Sequence, residues 1–228
     1  MMKSLTVKIQ NFLQIQISTV SATERLVSVI GGFLSIYLVM MISDIFVDTR
    51  GALLIVASMG ASAVLLFAMP HSALPQPWPL LGGHLVSALV GVACAMFIPN
   101  PMLAAAAAVS IAIGTMVQLR CIHPPGGATA LTAVVGGEAI HALGFQFILG
   151  PVLINTLVIL IVAVCFSLPF PWRRYPVSWA RLPAVSKVSD PYSDISHADF
   201  VVALSEIDSF IDVTEQDLLR INDLVNKR

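Results

Sequence analysis

The sequence is poor in charged residues, which make up 11% of its 228 positions, whereas a soluble domain carries about 25%. Its 12 lysines and arginines nearly balance 13 aspartates and glutamates. The net charge of −1 therefore excludes the strongly basic surface that a nucleic-acid partner would select. Hydrophobic residues make up 57% of the chain. This composition predicts an all-α, polytopic membrane helix bundle that is surrounded by lipid.

Cysteine is scarce as well. The three cysteines are Cys94, Cys121 and Cys165. None has the paired spacing of a disulfide framework or a zinc site, so we interpret them as small apolar residues. No metal and no cofactor is expected. A metal or enzyme site built from Cys121, His123, Glu138 and His141 is the alternative, although their spacing fits no standard metal motif.

Long apolar segments predict the spanning helices, since about 20 apolar residues cross a hydrocarbon core. The five segments lie at about 26–47, 52–69, 81–98, 102–119 and 143–168. Prolines exclude a helix through 70–80. A sixth, shorter stretch at 128–135 follows a break in the sequence. Six crossings would leave both ends on one side, and four crossings remain if two elements are re-entrant.

Two blocks of sequence repeat at nearly the same spacing. GASAVLL at 60–66 resembles GATALTA at 127–133, and LGGHLVSALV at 81–90 resembles LGPVLINTLV at 149–158. A half with three crossing elements begins and ends on opposite sides of the membrane, so a second half of the same kind would be inverted. We therefore predict two inverted repeats with broken helices. Transporters use this plan and bind substrate between the breaks. Chance recurrence of small residues in apolar helices is the alternative.

The stretch HPPGGATAL, from His123 to Leu131, resembles a helix that breaks and restarts. Pro124 and Pro125 interrupt a regular helix, so a new helix is expected from Ala128. Free N–H groups at such a start favour an anion. The predicted substrate-binding residues are Arg120, His123, Gly126, Gly127 and Thr129, with Gly60 and Ser62 at the matching place in the first half.

These residues also have structural interpretations. Arg120 would hold an anion by its planar fork, or it would snorkel from a helix end. His123 would donate to the anion and gain charge in mild acid, or it would be a structural histidine. Gly127 is expected to have no room for a side chain, because an anion or the facing repeat approaches it. His84 and Asn155 are expected to form hydrogen bonds between helices.

Charge placement predicts the organisation of the chain. Residues 1–25 form an interfacial segment, 26–172 the membrane domain, and 173–228 a cytoplasmic linker with a helical hairpin. Basic residues precede the first span and follow the last, so both termini are expected in the cytoplasm. No removable signal peptide is expected. The run from Ala104 to Ala108 suits close packing between helices and predicts a homo-oligomer, either a dimer or a trimer.

The strings GASAVLLF, GGHLVSALVG and RCIHPPGGATALTAV together resemble the HPP family of integral membrane proteins, over about residues 25–175. Plant plastid and cyanobacterial members are implicated in nitrite transport. The resemblance therefore implies a non-enzymatic transporter or channel for nitrite or a similar small anion, here in a bacterial plasma membrane. The family is usually described with four spanning helices, fewer than the five long segments found here.

Some bacterial members continue into paired nucleotide-sensing CBS domains, and the helical tail resembles the segment that precedes them. A membrane scaffold or sensor whose tail binds a partner is the alternative function.

Overall fold

The structure, a computed structural model, describes residues 21–46 and 49–179, without the side chains of 46 and 49–54. Residues 1–20 of the predicted interfacial segment 1–25, and the predicted helical hairpin, lie outside the described residues. Residues 22–25 of that segment belong to the first helix. The helices are α1 (Ala22–Phe46), α2 (Thr49–Ala68), α3 (Pro77–Phe97), α4 (Pro101–Gln118), α5 (Pro124–Val135), α6 (Glu138–His141) and α7 (Leu153–Ser167). A π-helical turn at Ile148–Val152 leads into α7, and short 3-10 turns at Pro171–Arg173 and Val177–Trp179 follow it.

The all-α membrane bundle is confirmed, and each predicted apolar segment forms a helix. Within residues 21–46 and 49–179, four helical stretches are long and apolar enough to cross a membrane: Ala22–Ile45, Pro77–Phe97, Pro101–Gln118 and Ile148–Ser167. In α2, the apolar part with described side chains is shorter, Ile55–Ala68. The 12 residues of α5 extend about 18 Å, which is about three fifths of the hydrocarbon core. Helix α5 is therefore too short to cross alone.

Two helices begin on prolines that the sequence analysis placed in loops. Pro77 and Pro79 lie in the first turn of α3, and Pro124 and Pro125 begin α5. Proline is tolerated there because first-turn N–H groups lack an intrahelical partner in any case. The predicted start of α5 at Ala128 is wrong, and so is the exclusion of a helix through the whole of 70–80.

Successive long helices alternate in direction, so their ends meet at two faces. Four hydrogen bonds join one set of ends: Arg173 to Glu24, Arg173 to Phe67, Trp78 to Leu119, and Tyr175 to Pro75. Helices α1, α3 and α5 begin at this face, and α2, α4 and α7 end there. We call it the arginine face, because Arg25, Arg120, Arg173 and Arg174 lie at it. Asp44 lies near the opposite face.

The long helices form two packed groups. Helices α1, α2 and α7 surround a core that contains Met59, Leu66 and Ile159, and α3, α4 and α5 surround one that contains Ala108 and Met116. Helix α3 thus packs with the second half of the sequence, and α7 with the first half. Each half therefore contributes one helix to the other half's group. This arrangement is compatible with an inverted repeat, and the inverted repeat stays a prediction.

Candidate functional site

Helices α3 and α5 cross at very short range because small residues line the contact. A Cβ atom on Gly83 would lie 2.5 Å from the Cβ of His123, and one on Gly91 would lie 2.5 Å from the Ala130 carbonyl oxygen. A Cβ on Gly126 would lie 2.7 Å from the Ser87 hydroxyl. None of these positions has room for a side chain. The close approach places His84, the residue after Gly83, against α5.

Two buried histidines meet at one serine. The Ser62 Oγ lies 2.8 Å from Nε2 of His84 and 2.8 Å from Nε2 of His123. On the far side of His84, Nδ1 lies 2.8 Å from the Thr129 hydroxyl. On the far side of His123, Nδ1 lies 3.0 Å from the Leu74 carbonyl oxygen. These four side chains and that carbonyl form what we call the histidine network.

The network is closed off from the surface of the bundle and tightly packed. Ser62, His84 and His123 have no exposed surface, and Thr129 is 1% exposed. The two imidazole rings pack edge to face, with ring centroids 4.9 Å apart. Buried polar groups of this kind are expensive inside a membrane protein and usually mark a functional path. The predicted hydrogen bonds of His84 between helices are confirmed.

The two halves of the sequence contribute equivalent hydroxyls to this network. Ser62 in GAS and Thr129 in GAT occupy the same place in the repeated blocks. They approach His84 at its two ring nitrogens. The structure therefore brings the two segments together, as predicted. The predicted helix break in the first half is wrong, because α2 runs without interruption through Gly60.

The predicted site residues separate into two sets. His123, Thr129 and Ser62 belong to the network, and Gly126 lies beside it. By contrast, a Cβ atom on Gly60 or Gly127 would have nothing within 4 Å. The prediction that Gly127 has no room is wrong. One residue along a helix turns the side-chain direction by about 100°, so Gly126 faces α3 and Gly127 faces away from it.

Arg120 lies two residues after the end of α4 and has the left-handed conformation, with a φ of 53°. Its N–H donates to the Val117 carbonyl at 3.1 Å, and the Cys121 N–H donates to the Met116 carbonyl at 2.9 Å. This pair of bonds is the Schellman pattern of a helix C-terminus. The Arg120 side chain is exposed at the arginine face, outside the buried network. Its contact with an anion stays a prediction.

The start of α5 carries fewer free donors than expected. Pro124 and Pro125 have no N–H group, and the Gly126 N–H donates to the His123 carbonyl at 2.8 Å. From Gly127 onward, the regular helical pattern provides a carbonyl four residues earlier. Backbone donors are therefore few at this helix start, and the nearby His123 ring is buried with both of its nitrogens in hydrogen bonds.

A loop at Met69–Gln76, which we call the covering loop, closes the network at the arginine face. Its Leu74 carbonyl accepts the bond from His123. The Tyr175 hydroxyl, which is 2% exposed, donates to the Pro75 carbonyl at 2.6 Å. Burial raises the pKa of Tyr175, so this hydroxyl stays protonated and remains a donor. Gln76 holds the loop from within, through its bond to the Ser72 carbonyl at 2.7 Å.

Arg173 is a buried charged residue that the sequence did not identify as buried. It is 1% exposed, pairs with Glu24 at the start of α1, and donates to the Phe67 carbonyl at the end of α2. Burial lowers the pKa of Arg173, while the charge of Glu24 opposes that shift. The Trp172 indole N–H also donates to Glu24, at 2.9 Å. In the sequence, Arg173 is a basic residue shortly after the last apolar segment. A basic residue in this position is equally consistent with a charge exposed at the surface.

Two further expectations concern polar side chains elsewhere in the bundle. The predicted interhelical bond of Asn155 is confirmed, because its side-chain amide donates to the Ser43 hydroxyl at 2.6 Å. Among residues 21–46 and 49–179, no three His, Cys, Asp or Glu side chains come together as a set able to hold a metal ion. Glu138 and His141 thus do not join Cys121 and His123 in such a group.

Comparisons with known proteins agree with this architecture. Two curated transmembrane proteins of Dictyostelium discoideum are each 41% identical to this chain, over 129 and 134 residues. The matches cover 55% and 57% of this chain, but only 45% and 43% of those relatives. No solved structure matches. Residues 17–176 match the family described as HPP, transmembrane region. The chain belongs to the HPP transmembrane family.

Proposed function

We propose that the protein moves a small inorganic anion across the membrane, and that nitrite is the first substrate to test. The histidine network carries the proposal. Ionisable side chains within membrane bundles are rare, and those that occur often lie on substrate or proton pathways. Here two histidines and two hydroxyls meet where α2, α3 and α5 pack together. The choice of nitrite rests on the family resemblance alone.

The described contacts suggest how an anion would reach the network. The exposed Arg120 at the arginine face would attract it, and the covering loop separates that face from His123. If the covering loop withdraws, Nδ1–H of His123 loses the Leu74 carbonyl and becomes free to donate to the anion. Gly60 and Gly127 have open space around them, so they would only shape the passage.

Flux into liposomes that contain the purified protein tests the proposal. Nitrite, nitrate and chloride are compared with a neutral solute such as glycerol. His84→Gln should lower anion flux about tenfold or more, because buried hydrogen-bond partners are left unpaired at about 1–3 kcal/mol each. The matched control is His141→Gln, since His141 is exposed and bonds only to the Val134 carbonyl among the described residues.

Arg120 provides a second arm of the same assay. Arg120→Gln should reduce anion flux and leave glycerol unchanged, and Arg120→Lys should retain part of the flux, because it keeps the charge without the planar fork. Protein-free vesicles measure the diffusion of neutral nitrous acid. Fluxes of all three anions that equal those of protein-free vesicles would refute the proposed function.

A further inference from the structure

The hydrogen bonds of the histidine network have one consistent direction when both rings are neutral. The Leu74 carbonyl can only accept, so His123 carries its proton on Nδ1 and accepts at Nε2. Ser62 must then donate to His123, and Nε2–H of His84 must donate to Ser62. The Thr129 hydroxyl finally donates to Nδ1 of His84. Each of these four hydrogen bonds contains one proton, and together they form a continuous chain from Thr129 to Leu74.

Both hydroxyls have a second acceptor within reach. Ser62 Oγ lies 3.3 Å from the Ser58 carbonyl, and Thr129 Oγ1 lies 3.4 Å from the Pro125 carbonyl. If His84 gains a proton on Nδ1, the Thr129 hydroxyl turns to Pro125 and accepts from the ring. If His123 instead gains a proton on Nε2, the Ser62 hydroxyl turns to donate to the Ser58 carbonyl and accepts from the His123 ring. Either ring can take a proton without the loss of a hydrogen bond.

From this geometry we infer that the histidine network binds a single proton, shared between His84 and His123 through Ser62, and that this proton accompanies the transported anion. The transfer is balanced: Nε2–H of His84 passes its proton to Ser62 while Ser62 passes its own to His123. One proton enters the chain and one can leave it, with no change in redox state. This inference rests on the proposed function for the anion itself.

Two arguments restrict the uptake to one proton. The ring centroids are 4.9 Å apart, and two charged rings at this distance repel each other. Among the described residues, none of the hydrogen-bond partners of the two rings is an acidic side chain that could neutralise the charge. Helices α4 and α5 have no titratable residue, and α2 has none among its described side chains, Ile55–Ala68. A buried cation without a carboxylate partner favours the entry of an anion.

The remaining titratable groups near the network are few. Cys121 precedes His123 and packs against Gly82 of α3. His71 lies in the covering loop, and its ring bonds to the Trp172 carbonyl. Tyr175 contacts the same loop through its bond to the Pro75 carbonyl. Arg120 and the Arg173–Glu24 pair lie at the arginine face, and Arg173 already has its countercharge. None of these titratable side chains forms a hydrogen bond with either imidazole ring, whose partners among the described residues are Ser62, Thr129 and the Leu74 carbonyl.

The experiment measures nitrite uptake and internal pH together in proteoliposomes with the voltage clamped at zero. Wild-type protein should carry one proton with each nitrite, after subtraction of protein-free vesicles. Ser62→Ala should reduce the coupled proton movement about tenfold, as expected for the loss of a buried hydrogen-bonding link. Ser35→Ala should not change it, because this buried hydroxyl bonds only to the Gly32 carbonyl within α1 among the described residues.

A direct measurement separates the two proposals. Nitrogen NMR of labelled histidine in lipid nanodiscs should show His84 and His123 titrating together as one proton, and separately in Ser62→Ala. Nitrite uptake without proton movement would overturn this inference and leave the proposed function standing. Independent or double protonation of the two rings would also overturn it. The absence of any anion flux would instead refute the proposed function, whatever the NMR titration shows.

Discussion

At the scale of single residues, adjacent glycines in one helix have different roles. Gly126 lies against α3, where a Cβ atom would be 2.8 Å from the Gly83 carbonyl oxygen, whereas Gly127 has open space. Gly126→Ala should destabilise the protein by about 1–3 kcal/mol, the usual cost of overpacking. Gly127→Ala should be neutral or stabilise it by about 0.5–1 kcal/mol, because alanine favours a helix over glycine. Thermal unfolding in detergent compares them; equal shifts would contradict the packing.

Arg173 is the residue whose loss should cost the most stability. Its removal leaves the Phe67 carbonyl without this buried donor and Glu24 without its countercharge, with only the Trp172 indole N–H still donating to Glu24 among the described residues. Arg173→Gln should therefore destabilise the fold by about 3–5 kcal/mol. Arg174→Gln is the control, since Arg174 is only half-buried. Thermal unfolding or protease resistance at matched protein levels measures the difference, and indistinguishable variants would show that the buried pair has no structural role.

At the scale of elements, the covering loop depends on the segment after α7. Tyr175→Phe removes the donor to the Pro75 carbonyl and leaves the aromatic ring in place. We expect hydrogen exchange in residues 71–76 to rise about two- to tenfold, the effect of losing about 0.5–1.5 kcal/mol of hydrogen bonding. Tyr37→Phe serves as the control, because Tyr37 is 55% exposed. Unchanged exchange in Tyr175→Phe would mean that other contacts hold the loop.

At the scale of the whole molecule, the arginines predict an orientation. Arg25, Arg120, Arg173 and Arg174 lie at one face, whereas Arg50 lies in the first turn of α2, at the opposite face. Positive residues prefer the cytoplasmic side, so we propose that the arginine face is cytoplasmic. With exposed Cys165 replaced by alanine, a cysteine at Asn100 should react with an impermeant maleimide on intact cells.

A cysteine placed at His71, in the covering loop, is the partner of that experiment. It should react only after the cells are permeabilised. The opposite pattern of labelling would invert the proposed orientation and would leave the fold unchanged.

A homo-oligomer remains a proposal, and its predicted surface needs correction. Ala104 and Ala108 are buried inside the bundle and cannot form the contact between copies. Ala106, Ser110 and Gly114 are exposed on the other side of α4, one helical turn apart from each other. Small residues at this spacing allow two helices to approach closely in lipid.

A bulky residue at Gly114 tests this surface. Gly114→Leu should convert crosslinked dimers or trimers to monomer in native membranes. Gly32→Leu should not, although Gly32 also has open space in α1. Oligomers that persist in Gly114→Leu would exclude the α4 surface, and monomer in the wild type would exclude the oligomer.

The sequence by itself determined the class, the helices and three members of the network. Low charge and long apolar segments were sufficient for a membrane bundle, since lipid demands helices with internally satisfied backbones. The HPPGGATAL stretch identified His123 and Thr129 as candidates, and the repeated block in the first half added Ser62. Local sequence patterns are sufficient for these features, because the length of a helix and the position of a break depend on residues that are close together in the chain.

Only the tertiary structure decided which side chains meet. Ser62 and His123 are 61 positions apart in the chain, and Arg173 lies 106 positions from Phe67. In a soluble helix, the polar face would show which side turns inward. In lipid both faces are apolar, so the sequence could not show that Gly126 packs inward while Gly127 does not. It also could not show that His84 completes the network, or that Arg173 is buried, because those facts depend on how whole helices pack.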